Sequence, residues 1–492
     1  MLLRNGLIKN WCLAAMIAVT AHFAVADDFN AAAREFGAVG DGNTLCTGAL
    51  QKAVDACVAG GGGRVIIPSG RYRTGTIVLK DGVELRLEKD AVLLGSGDYR
   101  DFPLLHPEYR SRHDKKGYSA LIYAEKASGI AVTGAGTIDG NNQTWTFHPG
   151  LSDDSDEDGR PRNILLVSCS RVRIEGVTLL NPVMWNQHYL NCEDVLIDGI
   201  KVYSHGRPNA DGIDIDGCRR VVMKNSVMDS DDDGLTLKST GAAACEDVFV
   251  TNCVFSSHCN AIKTGTESNG GFRNIAITHC VVKPSADDSP VFKESRRNDI
   301  DGITAITLGC VDGGVMENVQ ISDITIEGTQ SAIFIRLGKR NRPYMEGVPV
   351  TRDSVMRNIQ IANITTKGTG DVGCFILGLP GNPIRNLTLS NVAIGSMGGF
   401  AADAVPSDVE EKPAAYPQPT SWGIAPAYGF FIRHAENVTI DGVKLTTAKP
   451  DPRPPFQLVD VKTVSIKRSS APGPVFVVKK DVSDETIEVP GN

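Results

Sequence analysis

The sequence predicts an all-β fold, a parallel β-helix with a capping helix at its amino-terminal end. A short unit with apolar residues at its third and fifth positions recurs along the chain. It reads SRVRIEGVTL at Ser170, EDVLIDGIKV at Glu193, RRVVMKNSVM at Arg219, EDVFVTNCVF at Glu246 and RNIAITHCVV at Arg273. It continues at Glu317, Arg357, Arg385, Glu436 and Lys462, with most starts roughly 25 residues apart, the length of one solenoid coil. No helical pattern intervenes and the Leu-x-x-Leu-x-Leu frame is absent, which separates this repeat from a leucine-rich one. Composition agrees: 41% apolar but only 6% aromatic residues suit many thin β-branched layers, and 51 glycines supply turns.

The first 26 residues read as a secretory signal, with basic Arg4 and Lys9, apolar Trp11–Ala21 and a small-x-small site at Ala24-Val25-Ala26. Residues 27–492 are then expected to form one catalytic domain, secreted or periplasmic and monomeric. No later run reaches the ~20 apolar residues of a membrane helix. A formal charge of −8 argues against a nucleic-acid partner. The cysteines have no framework spacing and no CxxC; stacked free thiols are expected at Cys218, Cys253 and Cys280, with a Cys46–Cys57 bridge permitted.

The first element after the signal is a helix. Leu50, Ala53, Val54, Cys57 and Val58 fall on one face, with Thr47 as N-cap and Gly60–Gly63 as the stop. One amphipathic helix there would cover the open end of a β array, whose free strand edge invites association. Strand-like runs follow, GRVIIPSG, GTIVLK, VELRLE and AVLLGS, and then the repeats. Longer spacings at 283–316, 327–356 and 395–435 mark insertions or a missed coil; the last holds five prolines and is a non-helical excursion. Such loops wall the binding face of a solenoid. Residues 473–492 read as a terminal strand or tail.

The chemistry gathers in Asn209–Lys238. Asp211 and Asp232 open successive coils, and 229–233 holds four acids in five residues. Asp-Gly by itself marks a turn, as at Asp139, Asp301 and Asp441, but a turn has no need of so many acids. Carboxylates on neighbouring rungs, ~4.8 Å apart, cannot ionise independently, which is the condition for dividing acid and base roles between them. Asp154–Gly159 and Asp229–Gly234 match half a calcium loop, but Leu165 and Thr240 stand where the bidentate Glu belongs. The first therefore reads as an acidic surface loop and the second as catalytic.

SHGRPNADGIDI followed one coil later by DSDDDGLTL resembles the Asn-Thr-Asp and Asp-Asp signatures of the polygalacturonases, glycoside hydrolase family 28. FGAVGDG, GGGRVIIPSGRYRTG and NPVMWNQHYLNCEDVLIDGI extend the resemblance over residues 34–300. It implies a right-handed parallel β-helix hydrolysing pectic polysaccharide with inversion and no cofactor or metal. Asp232 would be the general acid, with Asp211 and Asp233 positioning and deprotonating the water; Asn209, His258, Asn260, Lys263 and Lys293 would contact the anionic sugar. Ser257-His258-Cys259 replaces the family's Gly-His-Gly, and Val291 replaces the arginine that precedes the Lys293 position. Both departures point towards a rhamnogalacturonan hydrolase or an exo-acting member. Arg296 and Arg297 read as solvated surface, while Trp185 and His188 are equally a sugar platform or packed core. Two other classes compete: a calcium-dependent polysaccharide lyase on the same scaffold, and a non-catalytic carbohydrate-binding β-helix.

Overall fold

A computed structural model describes residues 27–113, 115, 117–152, 159–288 and 297–489. The signal segment 1–26, the acidic loop 153–158, Lys293 and Arg296 lie outside the described residues. The chain divides into two compact units, one running to Ser230 with Glu246–Thr251, the other comprising Asp231–Cys245 and everything from Asn252.

Each unit is a parallel β-helix, and within each unit the repeats read in the sequence stack in register. In the first unit Val172, Val195, Val221 and Val248 form one column, and Ile174, Ile197, Met223 and Val250 a second. In the second unit a column runs Ile277, Ile321, Ile361, Leu389, Ile440 and Ile466, each at most 1% exposed. Each such side chain contributes roughly 1.5–3 kcal/mol by burial, so the column is the core. The residue three places before each member of this second column takes left-handed backbone. Asn274, Asn318, Asn358, Asn386 and Asn437 have φ of 53–59° in the second unit. Asparagine tolerates that conformation, and its amides bond up the stack, Asn358 Nδ2 donating to Asn318 Oδ1 at 3.0 Å and Asn386 Nδ2 to Asn358 Oδ1 at 2.8 Å.

Among the described residues the one α-helix is α1 (Thr47–Ala59), which buries Leu50, Ala53, Val54 and Cys57 as expected. Gln51 ties it to the sheet, accepting from Val78 N at 2.9 Å and donating to Val78 O at 3.1 Å. Thr47 is not the cap: the N-cap is Cys46, and the Thr47 hydroxyl is taken by Gly75 N at 2.7 Å. No disulfide forms among the described residues. None of Cys46, Cys57 and the nine later cysteines is bridged and all are buried, the Cys46 thiol donating to Val39 O at 3.2 Å, so they pack as small side chains in the core.

The stretches 283–316 and 327–356 are not simple insertions, because each carries a rung, Gly302–Cys310 and Thr329–Leu337. Every residue of both strands is buried, so no alternation betrayed them in the sequence. The strand Ile384–Gly398 runs into the 395–435 stretch, which then holds short 3₁₀ turns at Ala402–Ala404 and Pro419–Ser421 before the strand Phe430–Asp441 begins. Val477–Ile487 is a terminal strand paired to Phe456–Lys467. No described helix is long and apolar enough to cross a membrane.

Candidate active site

In the second unit three consecutive strands, β1 (Leu235–Ser239), β2 (Asn260–Ser268) and β3 (Gly302–Cys310), stack in parallel. Leu235 pairs with Ile262 and Thr236 with Lys263, while Asn260 pairs with Thr304. The acids Asp232 and Asp233 lie just before β1, and Asn260 occupies the place of Asp233 one coil further on. That registry decides the first contacts. Asp233 Oδ1 accepts from Asn260 N at 3.2 Å and from Asn260 Nδ2 at 2.7 Å. Thr307 Oγ1 donates to Asn260 Oδ1 at 3.0 Å and so fixes which end of the amide faces Asp233. Lys263 Nζ donates to the other carboxylate oxygen of Asp233 at 2.6 Å and to Tyr416 Oη at 2.9 Å.

Asp233 and Lys263 are each 2% exposed, whereas Asp232 is only partly buried. The Ser257 hydroxyl donates to the Asp232 carbonyl at 2.6 Å and anchors the turn that carries the acid. A carboxylate oxygen of Asp232, one of Asp233 and the Cys259 sulfur lie within 4.8 Å of one another. Burial and the neighbouring Asp233 charge push the Asp232 carboxyl up to about 6, against the pull of Lys263, Cys259 and Lys238. Burial acts on Asp233 too, but the charge and hydrogen bond of Lys263, with help from Lys238 and Asn260, outweigh it and hold Asp233 below the usual carboxylate range. Burial would lower Lys263 as well; Asp233 reverses this and keeps the ammonium well above its ordinary value. One acid therefore holds its proton up to about pH 6 while its neighbour is ionised.

The remaining expected residues are distributed as follows. His258 is buried, its Nδ1 3.9 Å from Asp301 Oδ2, and Cys259 hydrogen-bonds the Asp232 side chain. Arg297 is exposed, as expected, and forms a bidentate pair with Asp371 at 2.6 and 2.8 Å. In the first unit Asn209 has φ 57° and accepts from Arg160 Nη2 at 2.7 Å. The Asp211 carbonyl accepts from Asn186 N at 2.9 Å and Ser204 Oγ at 3.0 Å, and its side chain is 2% exposed. Trp185 and His188 are core, not a platform. Both are at most 1% exposed, His188 Nε2 lies 3.0 Å from Asp216 Oδ2, and burial lowers the imidazole to about 4.

Sequence reasoning missed Tyr416 and Gln418. The excursion brings Tyr416 to Lys263 across 153 residues of chain and Gln418 to Asn260 across 158. Gln418 Oε1 accepts from Asn260 Nδ2 at 3.4 Å, and Tyr416 is 46% exposed. Nothing in the proline-rich segment marked either residue. Lys238 was legible only as a repeat position.

Residues 57–411 match the profile of Glycosyl hydrolases family 28. The chain belongs to that family. A probable polygalacturonase of Vitis vinifera is 27% identical over 453 residues, 84% of this chain and 84% of the relative. The exo-poly-alpha-D-galacturonosidase of Dickeya chrysanthemi is 25% identical over half of each chain, 50% and 49%. Among solved structures, the Thermotoga maritima exopolygalacturonase superposes with TM-score 0.61 at 23% identity, covering 78% of this chain and 91% of its own. This family 28 hydrolase thus has the right-handed parallel β-helix, the hand that parallel crossover connections favour. A Streptococcus pneumoniae surface adhesin also superposes, with TM-score 0.50 at 13% identity over 94% of this chain. The fold alone does not separate enzyme from adhesin. Family membership does.

Proposed function

We propose that this family 28 hydrolase cleaves a pectic, uronate-bearing polysaccharide by single displacement, with Asp232 as proton donor. The Asp232 proton passes to the glycosidic oxygen as the C1–O bond breaks. Water adds to C1 from the opposite face, and its proton passes to Asp211, assigned by its place in the sequence motif. The product is a reducing end of inverted configuration. The observation that carries this reading is Asp232, a partly open carboxyl holding its proton up to about 6 beside a buried, ionised Asp233. The sequence relative from Vitis vinifera supports a pectic substrate. The altered Ser257-His258-Cys259 turn supports a rhamnogalacturonan-directed or exo-acting subtype. We extend the proposal to a secreted or periplasmic monomer whose residues 27–492 act as one catalytic domain.

The test is product analysis on homogalacturonan and rhamnogalacturonan, with and without chelator. Reducing ends without ultraviolet-absorbing unsaturated uronides, unchanged by chelator, are expected. Chelator-sensitive unsaturated products would identify a lyase instead, and no release from any polymer would identify a binding protein. The pH profile gives a second check. A general acid must be protonated, so kcat/KM should fall as pH rises through about 6. An alkaline limb several units higher would remove Asp232 from the role.

A further inference from the structure

We propose that Lys263 is the positioning residue of the acid pair, fixing Asp233 as a permanent anion that keeps the proton on Asp232 and takes none from water. This rests on the reading of Asp232 as proton donor and narrows the role expected for Asp233. The geometry carries it. A general base needs an oxygen free to accept from water, yet both oxygens of Asp233 are already taken, accepting three hydrogen bonds, two from Asn260 and one from Lys263.

Spacing gives a second argument. Asp232 and Asp233 present oxygens within 4.8 Å of one another, close enough for an anion at Asp233 to raise the proton affinity of Asp232.

The ionisable groups around Asp233 are Asp232, Lys263, Lys238, Cys259 and Tyr416. Of the two lysines, Lys263 bonds a carboxylate oxygen of Asp233 directly, and it is held from its far side by Tyr416. The Tyr416 hydroxyl accepts from Nζ at 2.9 Å, with the ring centroid 5.1 Å away. The excursion that delivers Tyr416 thereby fixes the lysine, and the lysine fixes the acid. During turnover Lys263 and Asp233 exchange no proton; the transferred proton leaves Asp232 and is restored from solvent.

The experiment compares wild type, Lys263→Met, Lys263→Arg and Lys263→Met/Asp233→Asn on the pectic polymer giving the highest turnover, recording kcat, KM and their pH profiles. Removing the cation leaves Asp233 competing for the proton. Lys263→Met should lose about 100-fold in kcat with KM within about threefold, and its alkaline limb should move up by about one pH unit. Lys263→Arg should keep the limb in place. The double variant, whose amide at position 233 has no charge to compete, should recover about tenfold over Lys263→Met and return the limb towards wild type.

Lys263→Met with normal kcat, an unmoved limb and raised KM would make Lys263 a substrate contact and overturn the proposal. A double variant as inactive as Asp232→Asn would make Asp233 itself the base, and would overturn it equally. If Lys263→Met does not fold, the double variant still decides, because its site holds no unpaired charge. The two readings fail separately: an active Asp232→Asn removes the proton donor, whereas an inactive Asp232→Asn with an unaltered Lys263→Met removes only the positioning role.

Discussion

Asp232→Asn is expected to lower kcat about a thousandfold on the preferred pectic polymer while leaving the melting temperature unchanged. The amide has the shape of the carboxyl but no proton to give. The backbone contact that holds the turn, Ser257 Oγ to the Asp232 carbonyl, does not involve the side chain. Asp232 is partly open and sits against the ionised Asp233, so removing its charge relieves a repulsion and exposes no new buried group. A synthetic substrate whose aryl leaving group departs without protonation should lose far less than the polymer. Equal losses on both substrates would place Asp232 outside the protonation step, and near-normal activity on the polymer would dismiss it altogether.

The second large effect is on stability. Asp451→Ala should destabilise the protein by about 3–5 kcal/mol, read as a lower urea midpoint at unchanged slope. Arg453 and Asp451 form a bidentate pair at 3.0 and 2.8 Å, with both side chains fully buried. Arg453 also donates to Ala425 O at 3.0 Å and stands over the Phe400 ring at 4.9 Å, so it closes both ends of the excursion that carries Tyr416. Without Asp451 a guanidinium is left in a dry site with one carbonyl to face it. Contrast Arg385 and Glu436, at 3.4 Å but 43% and 46% exposed, where Glu436→Ala should cost under about 1 kcal/mol because water screens the pair. A loss at Asp451 no larger than that would show that the buried pair is solvated.

Much of this fold could be read before any coordinates because the apolar residues that stack are periodic. Val172, Val195 and Val221 are found by spacing and meet by spacing. The rungs Gly302–Cys310 and Thr329–Leu337 were illegible for the opposite reason: both faces are covered, so their residues do not alternate and the period vanishes. The capping helix was legible from its face, but not from its first turn, where the Thr47 hydroxyl serves Gly75 instead of the helix.

At the candidate site the sequence by itself marked the acids, since four in five residues exceed any turn's requirement, and the coil on which each one lies. Tertiary structure alone decided how they differ in hydrogen bonding and charge. Asp232 and Asp233 are neighbours with the same side chain, and nothing local distinguishes them. One is held by Asn260 and Lys263 from the next coil, and that lysine by Tyr416 from an excursion 153 residues further on. Charge on a carboxyl is set by whatever stands within a few ångströms of it, and those neighbours are brought by the winding of the chain, not by its order.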